Sequence, residues 1–361
     1  MKRVIVTVTN DLSTDQRVAK VCNTLTNNNF NVLLIGRKLN NSKKLNRNYK
    51  TKRFNLFFNS GFLFFAEYNF RLFLYLLFTK KDILLSNDLD TLLPNYLVGK
   101  ILNKKIVFDS HELFPEIPEL VNRPKVKKVW LALEKWMLPK LKNNYTVCNS
   151  IAQFYKEEYN SSFKTIMNLP TKKEIELGSF PFEKTTKKVI LYQGAINIGR
   201  GLELIIAAMK FLENHILVII GDGDIYKHLK KQNTLDQQSK NVVFLGKMAP
   251  NELYKLTPLA DLGISLEEDL GLNYRFALPN KIFDYIQAEV PVLVSDLPEM
   301  SKIINKYNVG EIVVDRTPKK IAFQINQILN KDFTKELKLA KKELIWEKQE
   351  DKLLTIFNNL K

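Results

Sequence analysis

The sequence predicts two α/β domains in tandem, each built on a doubly wound parallel sheet. Three observations carry the expectation. The chain has 361 residues, beyond the size at which a single core usually keeps growing. Short runs rich in Val, Ile and Leu alternate with longer helical patterns. That alternation then starts afresh after residue 186.

In the first half the strand-like runs are VIVTV (4–8), NVLLIG (31–36), DILLSND (82–88), KIVFDS (105–110) and NYTVCNS (144–150). In the second they are KKVILYQG (187–194), HILVIIGDG (215–223), NVVFLG (241–246), ADLGISL (260–266) and VPVLVSD (290–296). Residues 168–187 hold two Pro, one Gly and scattered charge without a clear period, the composition of a linker. The expected domains are therefore 1–168 and 187–340, with a hinge between them. From about Lys331 to Lys361 the chain reads as helical, with Ile345, Trp346, Leu353, Leu354 and Phe357 on one apolar face. Residues 341–361 are expected to pack back on the first domain.

Hydrophobic residues make up 45% and charged residues 26%, a globular mixture with no stretch polar enough to stay unfolded. Cys22 and Cys148 lie far apart without a CxxC or Cys/His cluster, so neither a disulfide framework nor a structural zinc site is suggested. Residues 1–8 (MKRVIVTV) have too short an apolar run for a signal peptide and read as a first strand, which makes a cytoplasmic location the expectation. The formal charge of +17 is concentrated in residues 1–180, where 29 Lys and Arg face 15 Asp and Glu. Such a field attracts phosphates, whether on nucleic acid, anionic lipid or a diphosphate-bearing substrate.

Residues 62–78 (FLFFAEYNFRLFLYLLF) are strongly apolar, but Glu67, Asn69 and Arg71 interrupt them, so a buried or interfacial helix is expected rather than a membrane span. Residues 37–53 hold eight Lys and Arg and no acid, a basic loop. A solvated loop and a contact with an anionic membrane weigh equally there. In the second case Phe57, Phe58, Phe62, Phe64 and Phe65 would add apolar contact.

In an open α/β sheet, ligands bind beyond the carboxyl ends of the strands. Three such places stand out in the second half. LYQGAINIGRGLELIIAAM (191–209) reads as a strand, a turn containing Gly194 and a helix with Arg200 and Gly201 near its start, a setting for a diphosphate. VIIGDGD (218–224) ends a strand in the turn Gly221, Asp222, Gly223, which allows close backbone approach. In residues 272–300 a Pro opens a helix that carries Asn280, Lys281 and Asp284 close to one face. A carboxylate there suits the two hydroxyls of a ribose, and a lysine suits phosphate oxygens.

The segments NDLSTDQRVAKVCNTL (10–25), SNDLDTLLPNYLVGK (86–100), DSHELFPE (109–116), YQGAINIGRGLE, GDGD, NVVFLGKMAPNEL (241–253) and LPNKIFDYIQAEVPVLVSDLPE, in this order and spacing, resemble the nucleotide-sugar glycosyltransferases of the GT-B fold, specifically the retaining family 4. The likeness runs over nearly the whole chain. It implies two Rossmann-like domains facing a cleft, with the acceptor on the first and the donor on the second. It also implies that Arg200 stands in the place of the family's phosphate-binding Lys and that Asp284 matches the second acid of its E-x7-E motif. Two positions depart: Phe276 stands where the first acid would be, leaving Glu267, Glu268 and Asp269 as candidates, and Ala195 replaces a phosphate-binding Arg.

By the same resemblance His111 faces the reacting sugar, and its place just after KIVFDS agrees with a strand-end site. An HExxH metal site is excluded, because Pro115 stands where the second His is needed. Asp88 and Asp90 have DxD spacing but lie in the first half and read as structural or acceptor-binding. The expected activity is therefore transfer of a sugar from a UDP- or GDP-type donor to a glycan or lipid-linked acceptor in cell-surface polysaccharide synthesis. No metal or further cofactor is expected, and a peripheral position on the inner face of the membrane is. The competing readings are a nucleotide-sugar epimerase of similar build and a basic nucleic-acid-binding protein; no helix-turn-helix, RNP or zinc pattern favours the latter.

Overall fold

The computed structural model describes all residues except 14, 41, 122, 175, 183–185, 236–240 and 361. The chain divides into two compact units, Met1–Asn168 with Gln349–Lys361, and Leu169–Lys348.

The first unit is built on strands β1 (Arg3–Asp11), β2 (Asn31–Lys38), β3 (Lys50–Asn55), β4 (Ile83–Asn87), β5 (Lys105–Ser110), β6 (Asn144–Thr146) and β7 (Phe163–Thr165). All pair in parallel, in the order β3-β2-β1-β4-β5-β6-β7. The reversal of direction in that order falls between β1 and β4, so the loops leaving those two strands part and open a crevice at their carboxyl ends. Val4, Val6, Ile83, Leu84, Leu85 and Val107 are fully buried, as strands covered on both faces require. The first crossover helix, Gln16–Asn27, starts where the Asp15 carboxylate accepts the Val18 N–H at 3.0 Å.

The expected helix from Lys331 onward is two helices, Thr334–Glu343 and Glu347–Asn358. Between them Leu344 and Trp346 are buried, and the Trp346 N–H donates to the Pro170 carbonyl, so Ile345 and Trp346 belong to a break and not to one continuous apolar face. Residues of the last helix lie in the first unit, where Phe357 meets Phe30 edge-on at 5.9 Å and Thr24 donates to Glu350 at 2.6 Å. Two further corrections concern strands. The run 144–150 is strand only as far as Thr146, since a helix begins at Asn149. The basic stretch 37–53 is not all loop: it starts in β2 and ends in β3, a charged strand at the sheet edge, where charge deters pairing with another chain.

The second unit repeats the plan with β8 (Lys188–Gln193), β9 (His215–Ile220), β10 (Val242–Gly246), β11 (Leu262–Ser265), β12 (Val292–Val294) and β13 (Gly310–Ile312), ordered β10-β9-β8-β11-β12-β13 and all parallel. Its reversal falls between β8 and β11.

Candidate active site

At the β8/β11 reversal three charged side chains converge. Glu267 follows β11 and is fully buried, and its Oγ-bonded neighbour Ser265 holds Oε2 at 2.6 Å. The other oxygen, Oε1, lies 2.9 Å from Lys281 Nζ and 3.7 Å from Arg200 Nη1. Burial alone would raise the Glu267 pKa, but Lys281, the Ser265 hydroxyl and Arg200 together hold it below the ordinary value. Both cations also lie over aromatic rings: Lys281 Nζ is 4.0 Å from the centre of Tyr192, and the Arg200 guanidinium is 5.1 Å from that of Tyr274. Two cations therefore share one internal carboxylate, which leaves a local surplus of one positive charge.

The backbone explains the convergence. Gly201, with φ +71°, turns the chain into the helix Leu202–Ala208, and a Cβ there would meet the Leu266 carbonyl at 2.1 Å, so only glycine lets the Arg200 loop lie against the strand end that carries Glu267. Lys281 and Asp284 come from the helix Asn280–Gln287, whose Ile282, Phe283 and Ile286 are buried. Asp284 accepts from Gln193 Nε2 at 3.3 Å, and Gln193 in turn accepts from Thr257 at 2.8 Å, so the carboxylate is positioned from the end of β8. Asn280 is exposed at the first turn.

Gly194, Gly221, Asp222 and Gly223 form two loops that pack on each other. Gly194 donates to the Ile220 carbonyl and Ile196 to that of Asp222. A Cβ on Gly221 would sit 1.8 Å from the Gly194 carbonyl, and one on Gly223 would sit 2.3 Å from Asn197 Oδ1. The tight approach that these glycines permit is thus made to the neighbouring loop. Of the three candidates for the absent first acid, Glu267 meets the two cations, whereas Asp269 pairs with Arg275 at 2.7 Å. Sequence reasoning passed over Arg316, which donates to Ser295 Oγ at 2.6 Å and to the Leu266 carbonyl at 3.0 Å. Its only sequence signal is a place shortly after a strand too short to be recognised.

The first unit has its own cluster at the β1/β4 reversal. His111, just past β5, is bracketed by Asp88 Oδ2 on Nδ1 and Asp109 Oδ2 on Nε2, both at 3.1 Å, and its N–H donates to Asp88 Oδ1 at 2.7 Å. Asp109 is also clamped by Arg17, with Nε and Nη2 at 3.0 and 2.8 Å from its two oxygens, while Arg17 Nη1 donates to the Ile166 carbonyl. Burial opposes a charge on His111, yet the two carboxylates override it and hold the pKa well above the usual value, which favours the imidazolium form. Burial likewise works against ionised Asp109, but Arg17 and His111 bring it down to about 2. Asp90, which accepts from Thr9, behaves oppositely: burial and Asp88 push it up to about 7. Asp88 therefore orients His111, and it adopts φ +56° to do so, a conformation that residues other than glycine seldom take.

Residues 176–345 match the family of glycosyl transferases group 1. That segment contains Arg200, Glu267, Lys281 and Asp284. The chitobiosyldiphosphodolichol beta-mannosyltransferase of Candida albicans is 27% identical over 231 residues, 56% of this chain and 50% of that protein, so the chain spans about half the length of this curated relative. Among solved structures, the sucrose-phosphate synthase of Thermosynechococcus elongatus superposes with TM-score 0.77 at 14% identity, covering 100% of this chain and 99% of the other. A glycosyltransferase from Rickettsia africae gives 0.70 at 14%, covering 99% and 98%. The Anabaena protein HepE, in complex with UDP-glucose, gives 0.72 at 13%, covering 99% and 100%. At these identities the likeness establishes the fold: the chain has the two-domain α/β GT-B fold expected from its sequence.

Proposed function

We propose that the chain moves a sugar from a nucleotide-diphosphate donor to a glycan or lipid-linked acceptor in cell-surface polysaccharide synthesis. The observation that carries this is the meeting of Arg200 and Lys281 at the β8/β11 reversal, inside the segment that matches the transferase family. Breaking the bond between the anomeric carbon and the diphosphate leaves negative charge on the leaving group, and two fixed cations lower the cost of that charge. Asp284, one helical turn from Lys281, takes the ribose hydroxyls in this reading, and His111 faces the reacting sugar. A uridine diphosphate sugar is the first donor to test, because the Anabaena neighbour is in complex with UDP-glucose. A lipid-linked acceptor is favoured by the likeness to the Candida albicans mannosyltransferase, whose name contains a diphosphodolichol. Retention of anomeric configuration rests on the resemblance to family 4, and the anomer of the first product, read by NMR, tests it separately. The basic first half of the chain supports a peripheral position on an anionic, cytoplasmic membrane face.

Calorimetric titration of UDP- and GDP-sugars, run in EDTA because no metal enters this reading, is the test. Arg200→Ala and Asp284→Ala are each expected to weaken binding by about 1–3 kcal/mol, the range for a lost charged hydrogen bond. Unchanged affinity in both folded variants would remove the donor site from this place. Release of free sugar isomers in place of a glycosidic product would instead favour an epimerase.

A further inference from the structure

The helix Gly61–Phe78 is apolar on two opposite faces, and only one of them is covered. Phe64, Tyr68, Leu72 and Leu76 are buried against Ile5, Ile35, Phe54, Leu84 and Val98 of the sheet and its flanking helix. The other face carries Phe62, Leu63, Ala66, Phe70, Leu74 and Phe78, with Phe70, Leu63 and Leu74 along its middle and Phe62 and Phe78 on its two flanks, because a four-residue spacing winds by about 40° at each step. Phe62 is 80%, Phe70 64% and Phe78 82% exposed. The sixteen rises from Phe62 to Phe78 make this face about 24 Å long. A soluble helix ordinarily turns charge outward, and a long apolar line on a surface marks an interaction site.

Its surroundings identify the partner. Along β3, Lys50 and Lys52 alternate with Phe54 and therefore stand on the same sheet face as the helix, and both are exposed. Lys43 and Lys44 precede them, also exposed. Of the eight basic residues in 37–53, Arg37 and Arg53 are engaged within the unit: Arg37 lies over the Phe64 ring and donates to the Asn59 carbonyl, and Arg53 reaches Asp11 and the Lys43 carbonyl. Exposed lysines beside an exposed apolar line complement a bilayer whose surface is anionic and whose interior is hydrocarbon.

We propose that the outer face of the Gly61–Phe78 helix is a membrane-inserting surface: it lies flat in the interface of an anionic bilayer, with Phe70, Leu63 and Leu74 deepest among the acyl chains, Phe62 and Phe78 flanking them, and Lys43, Lys44, Lys50 and Lys52 at the headgroups. The helix does not span the bilayer, because its inner face is part of the core. This deepens the membrane reading given above and rests on it for the charge of the surface. The aromatics that insert differ from those expected from sequence, since Phe64 is buried and Phe65 packs against the same cluster.

Flotation of the full chain with vesicles of phosphatidylglycerol and phosphatidylcholine, or of phosphatidylcholine alone, tests it at low and high salt. Wild type is expected to bind the anionic vesicles and to keep part of that binding at high salt. The F62Q/F70Q/F78Q variant should lose the salt-resistant part, at least ~10-fold in partition. Gln at Lys43, Lys44, Lys50 and Lys52 should remove the salt-sensitive part. A control with V314Q, F323Q and L339Q, exposed apolar residues of the second unit, should bind like wild type. Phe70→Cys, labelled with a polarity-sensitive dye, reports insertion directly, because Cys22 and Cys148 are buried. If the triple-Gln variant, shown folded by its unchanged thermal melt, floats like wild type at high salt, the stripe is not the inserting surface although the membrane reading stands. If wild type does not float at all, both fall. If it instead dimerises through the stripe without binding lipid, a second copy is the occupant and the proposal is overturned.

Discussion

Asp109→Ala is expected to lower the stability of the chain by about 3–5 kcal/mol, the cost of removing one partner from a buried ion pair. Arg17 would lose its hydrogen-bonded carboxylate and keep the Ile166 carbonyl and the Tyr145 ring beside it, and the imidazolium of His111 would lose one of its two carboxylates. Urea unfolding measures the loss, and a change under about 1 kcal/mol, the value of an exposed pair, would show that the cluster is solvated. The pH dependence follows from the directions of the two shifts. Asp109 is depressed, so its contribution is complete above its ordinary pKa of 3.8 and disappears as pH falls through about 2. His111 is raised, so its contribution is complete below 6.5 and is lost as pH rises through its value in the folded chain. The stability difference between wild type and His111→Gln should therefore be flat from about pH 4 to 6.5 and shrink above it. A difference that grows with pH would contradict an imidazolium between two carboxylates.

His111→Ala should reduce turnover by about 10²–10³-fold, the loss typical when one group that stabilises transition-state charge is removed. Donor affinity should change little, because the nucleotide contacts proposed here come from the other unit. The geometry gives this residue an unusual character for catalysis. An imidazolium whose two ring N–H groups both face carboxylates is a poor base and holds no free N–H for the sugar, so the proposed role is a fixed charge near the reacting centre and not proton transfer. Steady-state kinetics at saturating donor and acceptor decide the matter: full turnover in the folded variant would make the Asp88–His111–Asp109 array structural.

The parallel strands were legible because burial on both faces makes them continuous apolar runs, as in β1, β4 and β9. What escaped was short or charged: KTKRFN of β3 lies at a sheet edge, while FKT of β7 and GEI of β13 are too brief to show a period. The positions of Arg200, Lys281 and Asp284 followed from their places after strands. Their electrostatics did not, since Glu267 reaches the two cations only because β11 pairs with β8 across a long interval of sequence. The same holds for Arg17 and Asp109, 92 residues apart. The Gly61–Phe78 helix shows a different limit. When both faces are apolar, periodicity cannot separate the packed side from the open one, and only the fold distinguishes Phe64 from Phe62.

The carboxylate of Glu267 also bears on what happens after chemistry. Two uncompensated cations would grip a spent nucleoside diphosphate as firmly as the donor, and departure of that product often limits an enzyme of this kind. In the donor site proposed above, Glu267 would neutralise one of the two charges and so temper the pull on the product before the next cycle. Glu267→Gln should consequently bind free nucleoside diphosphate more tightly and be inhibited by it more strongly, even if its buried Lys281 makes it less stable. Competitive inhibition constants for the diphosphate, compared between wild type and the variant, give the answer; an equal or weaker grip would mean that Glu267 serves only to hold the two cations in place.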